Sequence, residues 1–238
     1  MSGSSSVGPI VATPPDPFDA TEEILPVGTR LYRVHPLRVR EVDDHLRPTG
    51  AVTSDDGTQF NPGFGRTRFA FFGQPPVPAW YAASGPEAAV FESLLHDKVP
   101  GGSVPRAEWA ERMLSVVETT HELRLAKLHS DGLRKYDLTA AQLTDTPPTT
   151  YGETVRWAHE AWLAGYDGCS WVSKQYNSQF AYVLFGTVTG AVDPRLGAPP
   201  SRLRTVVDAS ETRVFAVSRA DYDWLAEICW SMRVTTTL

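Results

Sequence analysis

Turn-forming clusters punctuate this chain so often that long helices have little room. Residues 43–76 alone carry Asp43-Asp, Pro48-Thr-Gly, Asp55-Asp-Gly, Asn61-Pro-Gly and Gly73-Gln-Pro-Pro. Glycine supplies positive φ, proline fixes φ and lacks an N–H, and Asn or Asp bonds its own backbone, so such clusters end regular structure. Over the whole chain, 18 glycines and 19 prolines among 238 residues exceed the usual combined share of about 12%. This favours short strands and ordered loops over a helical bundle. Apolar residues make up 42% and seven are Trp, enough for a sizeable core in one domain.

Residues 1–25 are rich in Ser, Gly and Pro and read as a flexible leader. A single domain is expected over 26–238. Its first strand is expected in Val27–Val34, with Leu31 and Arg33 on one face and Tyr32 and Val34 on the other. Residues 36–66 read as loop. Strands are expected at Thr67–Phe72, Ala79–Ala83, Arg112–Thr120, Glu122–Leu128, Gly168–Ser173, Phe180–Thr187 and near Arg213–Val217. Ser84 with Glu87 three residues on forms a capping-box pattern, and Pro86 suits the first turn of a helix running to about Asp97. Ala88, Phe91, Leu94 and Leu95 form its buried stripe. Further helices are expected over Gly152–Ala164, ended by Gly165, and from Ala220 to Cys229. Strands dominate and helices intersperse without βαβ regularity, so the fold class is α+β, with mixed or antiparallel sheets.

A formal net charge of −6 argues against coating nucleic acid or anionic lipid. Two cysteines, Cys169 and Cys229, exclude a disulfide scaffold and a four-cysteine zinc site, and fit a reducing compartment. No apolar run approaches the ~18 residues of a membrane span. The N-terminus lacks the basic start and apolar core of a secretory signal, so a cytoplasmic protein is expected. The six histidines show no HExxH or finger spacing, so no metal is expected. There is no GKS or GKT phosphate loop and no GxSxG elbow. Asn61-Pro-Gly-Phe-Gly-Arg reads as a turn, since the strand–GxGxxG–helix context is missing.

Several segments taken in order are more specific. Leu31-Tyr-Arg-Val is followed by Phe60-Asn-Pro-Gly-Phe-Gly-Arg-Thr-Arg-Phe, then by Ala79-Trp-Tyr-Ala-Ala-Ser leading into Ala88-Ala-Val-Phe-Glu-Ser-Leu-Leu-His-Asp. Gly165-Tyr-Asp-Gly-Cys-Ser-Trp-Val-Ser-Lys and Tyr182-Val-Leu-Phe close the series. This order resembles the RES domain, named for an Arg, a Glu and a Ser, over about residues 29–190, leaving 191–238 as a C-terminal extension. The resemblance implies a fold similar to ADP-ribosyltransferase toxins. It also implies an enzyme that degrades NAD at the nicotinamide–ribose bond, by hydrolysis or with phosphate as co-substrate, with no further cofactor. The family's proteins are mainly bacterial toxins, many paired with a helix-turn-helix antitoxin that plugs the site.

Arg33, Glu92 and Ser173 match the three naming residues. Breaking this bond builds positive charge on the ribose, which a fixed carboxylate such as Glu92 can stabilise. The fork of Arg33 fits a pyrophosphate. Arg68 matches a second family arginine, with Arg66 a competitor because Gly65-Arg-Thr-Arg-Phe departs from the commoner Gly-Gly-Arg form. Tyr81 is read as a wall of the nicotinamide end. Ser173, with Ser178 as its alternative, is read as an orienting hydrogen-bonder. Two other readings share these residues: a protein ADP-ribosyltransferase, and a nucleotide-binding domain without turnover. A homo-oligomer is left open.

Overall fold

The computed structural model describes residues 11–42, 48–187, 202–206 and 210–237, and the statements below concern these. In chain order the strands are β1 (Glu22–Leu25), β2 (Arg30–Pro36), β3 (Arg38–Val42), β4 (Pro48–Ser54), β5 (Ala79–Ala83), β6 (Ser103–Val104) and β7 (Arg112–Thr119). They continue as β8 (Leu123–Lys127), β9 (Gly168–Val172), β10 (Phe180–Phe185), β11 (Leu203–Thr205), β12 (Arg213–Val214) and β13 (Thr235–Thr236). The helices are α1 (Pro86–Ser93), α2 (Arg106–Trp109), α3 (Asp131–Arg134), α4 (Tyr151–Leu163) and α5 (Arg219–Ser231).

One sheet runs β1-β8-β9-β10-β5-β2-β7-β11, with β12 also on β7. Only β8 and β9 pair parallel; the other neighbours are antiparallel. The class is α+β with a mixed sheet, as expected. Central β10 is buried on both faces: Ala181, Val183 and Phe185 pack with Trp157 and Ala161 of α4, while Tyr182 and Leu184 join a second cluster. That second cluster holds Leu25 of β1 and Leu203 of β11, from opposite ends of the strand path. The sheet therefore curls around it. A third cluster joins α1 and α5 through Phe91, Leu95, Trp109, Leu225 and Cys229.

Several expectations need correction. The leader does not extend to residue 25: β1 pairs with β8 over four residues, Phe18 packs edge-on to Trp157, and Trp157 Nε1 donates to Ala12 O. Residues 1–10 lie outside the described residues. Within 36–66, β3 and β4 form an antiparallel pair, disguised by the polar composition of Pro48–Ser54. Conversely, Thr67–Phe72 is not a strand. Only an isolated bridge joins Thr67 to Ala70, and the Phe69 N–H bonds the Tyr81 hydroxyl instead of a neighbouring strand. Its apolar side chains fill the core from a turn, with Phe69 fully buried.

Helix α1 ends at Ser93 rather than Asp97, and its cap is not the Ser84–Glu87 box. Ser84 Oγ accepts from Phe180 N. The Gln179 side chain, from the turn before β10, accepts from Ala88 N at 3.2 Å and donates to Glu87 at 3.2 Å. A Cβ at Gly85 would fall 2.3 Å from Gln179 Oε1, so glycine is what lets this tertiary cap approach. In the C-terminal part, β11 and β12 complete the sheet beside β7, β13 pairs with β6, and α5 packs in the third cluster. This part belongs to the core.

Candidate active site

A cleft opens where β2 and β5 part. The two strands meet at a single register pair, Tyr32 with Ala83. Past it, Arg33 and Val34 line one side and Tyr81 and Ala82 the other. The cavity holds about 360 Å³, within the usual range for a small-molecule site. Glu92, Arg66, Arg68, Tyr151, Trp171 and Lys174 also border it.

Helix α1 brings Glu92 to the cleft. Its Oε1 accepts from Ser173 Oγ at 2.6 Å and from Lys174 N at 3.1 Å. Among the described residues Oε2 has no protein partner, so the carboxylate is fixed at one oxygen and open at the other. Ser173 is fully buried and its Oγ also accepts from Tyr176 N. It stands behind Glu92 and does not line the cleft, so the expected direct contact with substrate gives way to holding the carboxylate. Ser178 is exposed and outside the lining.

Arg33 projects from β2 with Nη1 donating to Gly57 O at 3.0 Å and Gln59 O at 2.6 Å. Its guanidinium lies 5.4 Å from the centroid of the Trp80 ring, a cation–π distance. Nε and Nη2 have no protein partner among the described residues. Burial pushes the Arg33 pKa down to about 10, while the Asp55 and Asp56 charges act to raise it; the group stays cationic at neutral pH.

Arg68 is held by Thr146, its Nη1 donating to the carbonyl at 2.9 Å and the hydroxyl at 3.0 Å, and lies 5.1 Å from the Tyr151 ring centroid. Arg66 is exposed on the same rim. The competition between them resolves geometrically into one anchored and one exposed guanidinium, both on the cleft. The Tyr81 hydroxyl accepts from Phe69 N at 3.1 Å and bonds Thr67 Oγ1 at 2.9 Å. Burial raises its pKa far above the ordinary phenol value, so it stays protonated. Tyr81 therefore walls the cleft and pins the 67–70 turn that carries Arg68.

Thr146, Gln179 and Tyr151 escaped the sequence reading. Each acts across a long chain separation, and only the fold reveals the partner. The arrangement, three guanidinium groups and one anchored carboxylate in an aromatic-walled cleft, suits a small anionic ligand.

The mixed, curled sheet with its cleft defines an α+β fold with a small-molecule-sized cavity, and comparison with known families sharpens the class. Residues 30–205 match the RES domain. The chain belongs to the RES domain family, and the match reaches β11, beyond the boundary at 190 expected from the motifs. A search of curated proteins gives no match. A chain in the crystal structure of the M. tuberculosis MbcT–MbcA toxin–antitoxin complex is similar at 14% identity and a TM-score of 0.42, over 77% of this chain and 84% of that one. Among the described residues no helix is long and apolar enough to cross a membrane.

Proposed function

We propose that this protein degrades NAD by breaking the nicotinamide–ribose bond, as the toxin of a toxin–antitoxin pair. The observation that carries the reading is Glu92, with Oε1 clamped by Ser173 and the Lys174 N–H, on the wall of a cleft that Arg33 and Arg68 share. Membership of the RES family supports it.

The mechanism follows from charge. Nicotinamide leaves as a neutral molecule, so the step needs no strong acid; it needs an anion beside the ribose as positive charge grows there. Glu92 supplies that anion, and its clamp spares reorganisation during reaction. Arg33 offers Nε and Nη2 to the pyrophosphate in a fork geometry, with Arg68 as a second cation. Tyr81 and Trp171 supply aromatic walls at the nicotinamide end. Ser173 acts through Glu92 as a positioning residue. The acceptor is water or phosphate, and an antitoxin would silence the protein by occupying the cleft.

The test is NAD loss over time with purified protein, with and without phosphate, beside Glu92→Ala. Loss in the parent only when phosphate is present assigns a phosphorylase, and loss in both buffers a glycohydrolase. A mass increase on a protein target would instead assign a transferase. No nicotinamide release from folded protein free of bound antitoxin overturns the reading.

A further inference from the structure

Behind Arg33 lies a buried polar cluster that the mechanism above does not use. His35 Nε2 bonds Ser115 Oγ at 2.8 Å, and His35 Nδ1 lies 2.8 Å from Pro36 O and 3.4 Å from Asp55 Oδ2. Both neighbours of Nδ1 are acceptors, so that nitrogen carries a proton. The order Ser–His–Asp looks like a hydrolytic triad, but Ser115, His35 and Asp55 are 0%, 1% and 5% exposed. No substrate reaches this serine, so the cluster must act on its surroundings.

Its output is Gly57. Asp55 Oδ1 accepts from Gly57 N at 2.8 Å. Gly57 O in turn accepts from Arg33 Nη1 and from Trp80 Nε1 at 2.7 Å. Gly57 has φ +89, and a Cβ there would sit 3.0 Å from Ser115 Cβ and 3.3 Å from His35 Nε2. The loop is thus pressed onto the cluster, in a conformation that favours glycine. Asp55 also acts as a nearby negative charge on the buried guanidinium. The line Ser115–His35–Asp55–Gly57–Arg33 is continuous, and it ends on the arginine facing the cleft.

We propose that Asp55, backed by His35 and Ser115, is a positioning residue that sets the Arg33 guanidinium for a pyrophosphate-bearing ligand. It does so by fixing Gly57, whose carbonyl holds Nη1 and leaves Nε and Nη2 without a partner among the described residues. The inference rests on the pyrophosphate reading of Arg33 given under Proposed function.

The experiment is a double-mutant cycle on the full chain, with ADP-ribose as probe because it carries the pyrophosphate and lacks the scissile bond. Affinity is measured by calorimetry for the parent, Asp55→Asn, Arg33→Lys and the double variant, with thermal melting to establish folding. Asp55→Asn keeps the side-chain shape but has one acceptor oxygen, so it cannot accept from both Gly57 N–H and His35 Nδ1–H and one link of the line is lost. It should weaken binding about tenfold, with little further loss in the double variant, since residues in one network couple. A merely structural role would lower the melting temperature and leave the two affinity effects additive; additivity overturns the proposal. If Asp55→Asn does not fold, the same cycle run with Ser115→Ala should show the same non-additivity with an effect of about threefold. Affinity of a folded Asp55 or Ser115 variant equal to the parent, while Arg33→Lys weakens binding, overturns the proposal alone. Absence of ADP-ribose binding by the parent overturns the pyrophosphate reading, and this inference with it.

Discussion

Ser173 donates its hydroxyl to Glu92 Oε1 over 2.6 Å across 81 positions of chain. The same short turn, through Gln179, caps the helix on which Glu92 rides. One segment between β9 and β10 therefore holds both the carboxylate and its mount, and the consequences can be measured.

Glu92→Gln keeps the oxygen that Ser173 and the Lys174 N–H address and removes the charge. Turnover should fall about 10²- to 10³-fold, as for removal of other transition-state electrostatic contacts, while the KM for NAD stays nearly constant. A rise in KM with turnover preserved would assign Glu92 to ground-state binding.

Ser173→Ala removes the clamp and leaves the charge. Glu92 then gains freedom at the reacting centre, and a displacement of about 1 Å costs up to about 10²-fold in rate. Steady-state kinetics on Ser173→Ala beside Ser173→Thr checks this. The threonine retains a hydroxyl and should recover part of the activity if the hydrogen bond is what matters.

Gln179→Ala strips the acceptor from the Ala88 N–H at the start of α1. Loss of a helix cap costs about 1 kcal/mol, so the melting temperature should drop by a few degrees. Activity should fall with it, because the helix carries Glu92. An unchanged melting curve would show that the cap carries no weight.

Acid stability should report the half-buried pair that ties β1 to its neighbours. Glu23 Oε2 accepts from His129 Nε2 at 2.8 Å and Ser170 Oγ at 2.6 Å. Burial raises its pKa, but these hydrogen bonds and the His129 and Lys127 charges outweigh burial and hold it below the ordinary value. A carboxylate with a depressed folded pKa stabilises fully above its unfolded value, near 4.5, and that contribution is lost as pH falls through the folded value. The melting-temperature gap between parent and Glu23→Gln should narrow as pH falls below about 4.5. A gap independent of pH would remove the ionised pair as its source.

Deleting residues 1–25 should destabilise the protein strongly. It removes β1 from the sheet edge, the Phe18 ring from its contacts with Tyr136, Trp157 and Tyr166, and the acceptor of Trp157 Nε1. Large aromatic deletions from packed sites cost about 3–5 kcal/mol. Soluble, cooperatively melting protein at the parent's temperature would refute the assignment of residues 12–25 to the core.

Much of the sheet was legible because its strands are apolar runs between turn residues. β5, β7, β8, β9 and β10 lie within a residue or two of where periodicity puts them. The misreadings share one cause. Phe69 and Phe72 are buried by tertiary packing, so their apolarity mimics a strand at a turn, while Pro48–Ser54 pairs through its backbone and carries no apolar alternation. At the cleft, motif order nominated Arg33, Arg68, Tyr81, Glu92 and Ser173, and the fold gathers them, with Ser173 one layer back. Asp55 reads locally as a turn residue, while Thr146 and Gln179 left no trace in local sequence. What the three do depends on partners 20, 78 and 91 positions away, and such pairings exist only once the chain has folded.

That dependence sets a schedule. A ribosome releases this chain from the N-terminus at about 5–20 residues per second. Arg33 and the Asp55 loop emerge early, and their buttress is complete once β7 delivers Ser115. Glu92 emerges before Ser115, but its clamp and helix cap wait for residues 173–179. β1 likewise waits for β8. A nascent chain therefore carries the buttressed Arg33 well before it carries a fixed Glu92 carboxylate, and the cleft lining is assembled only when about three-quarters of the protein has been made.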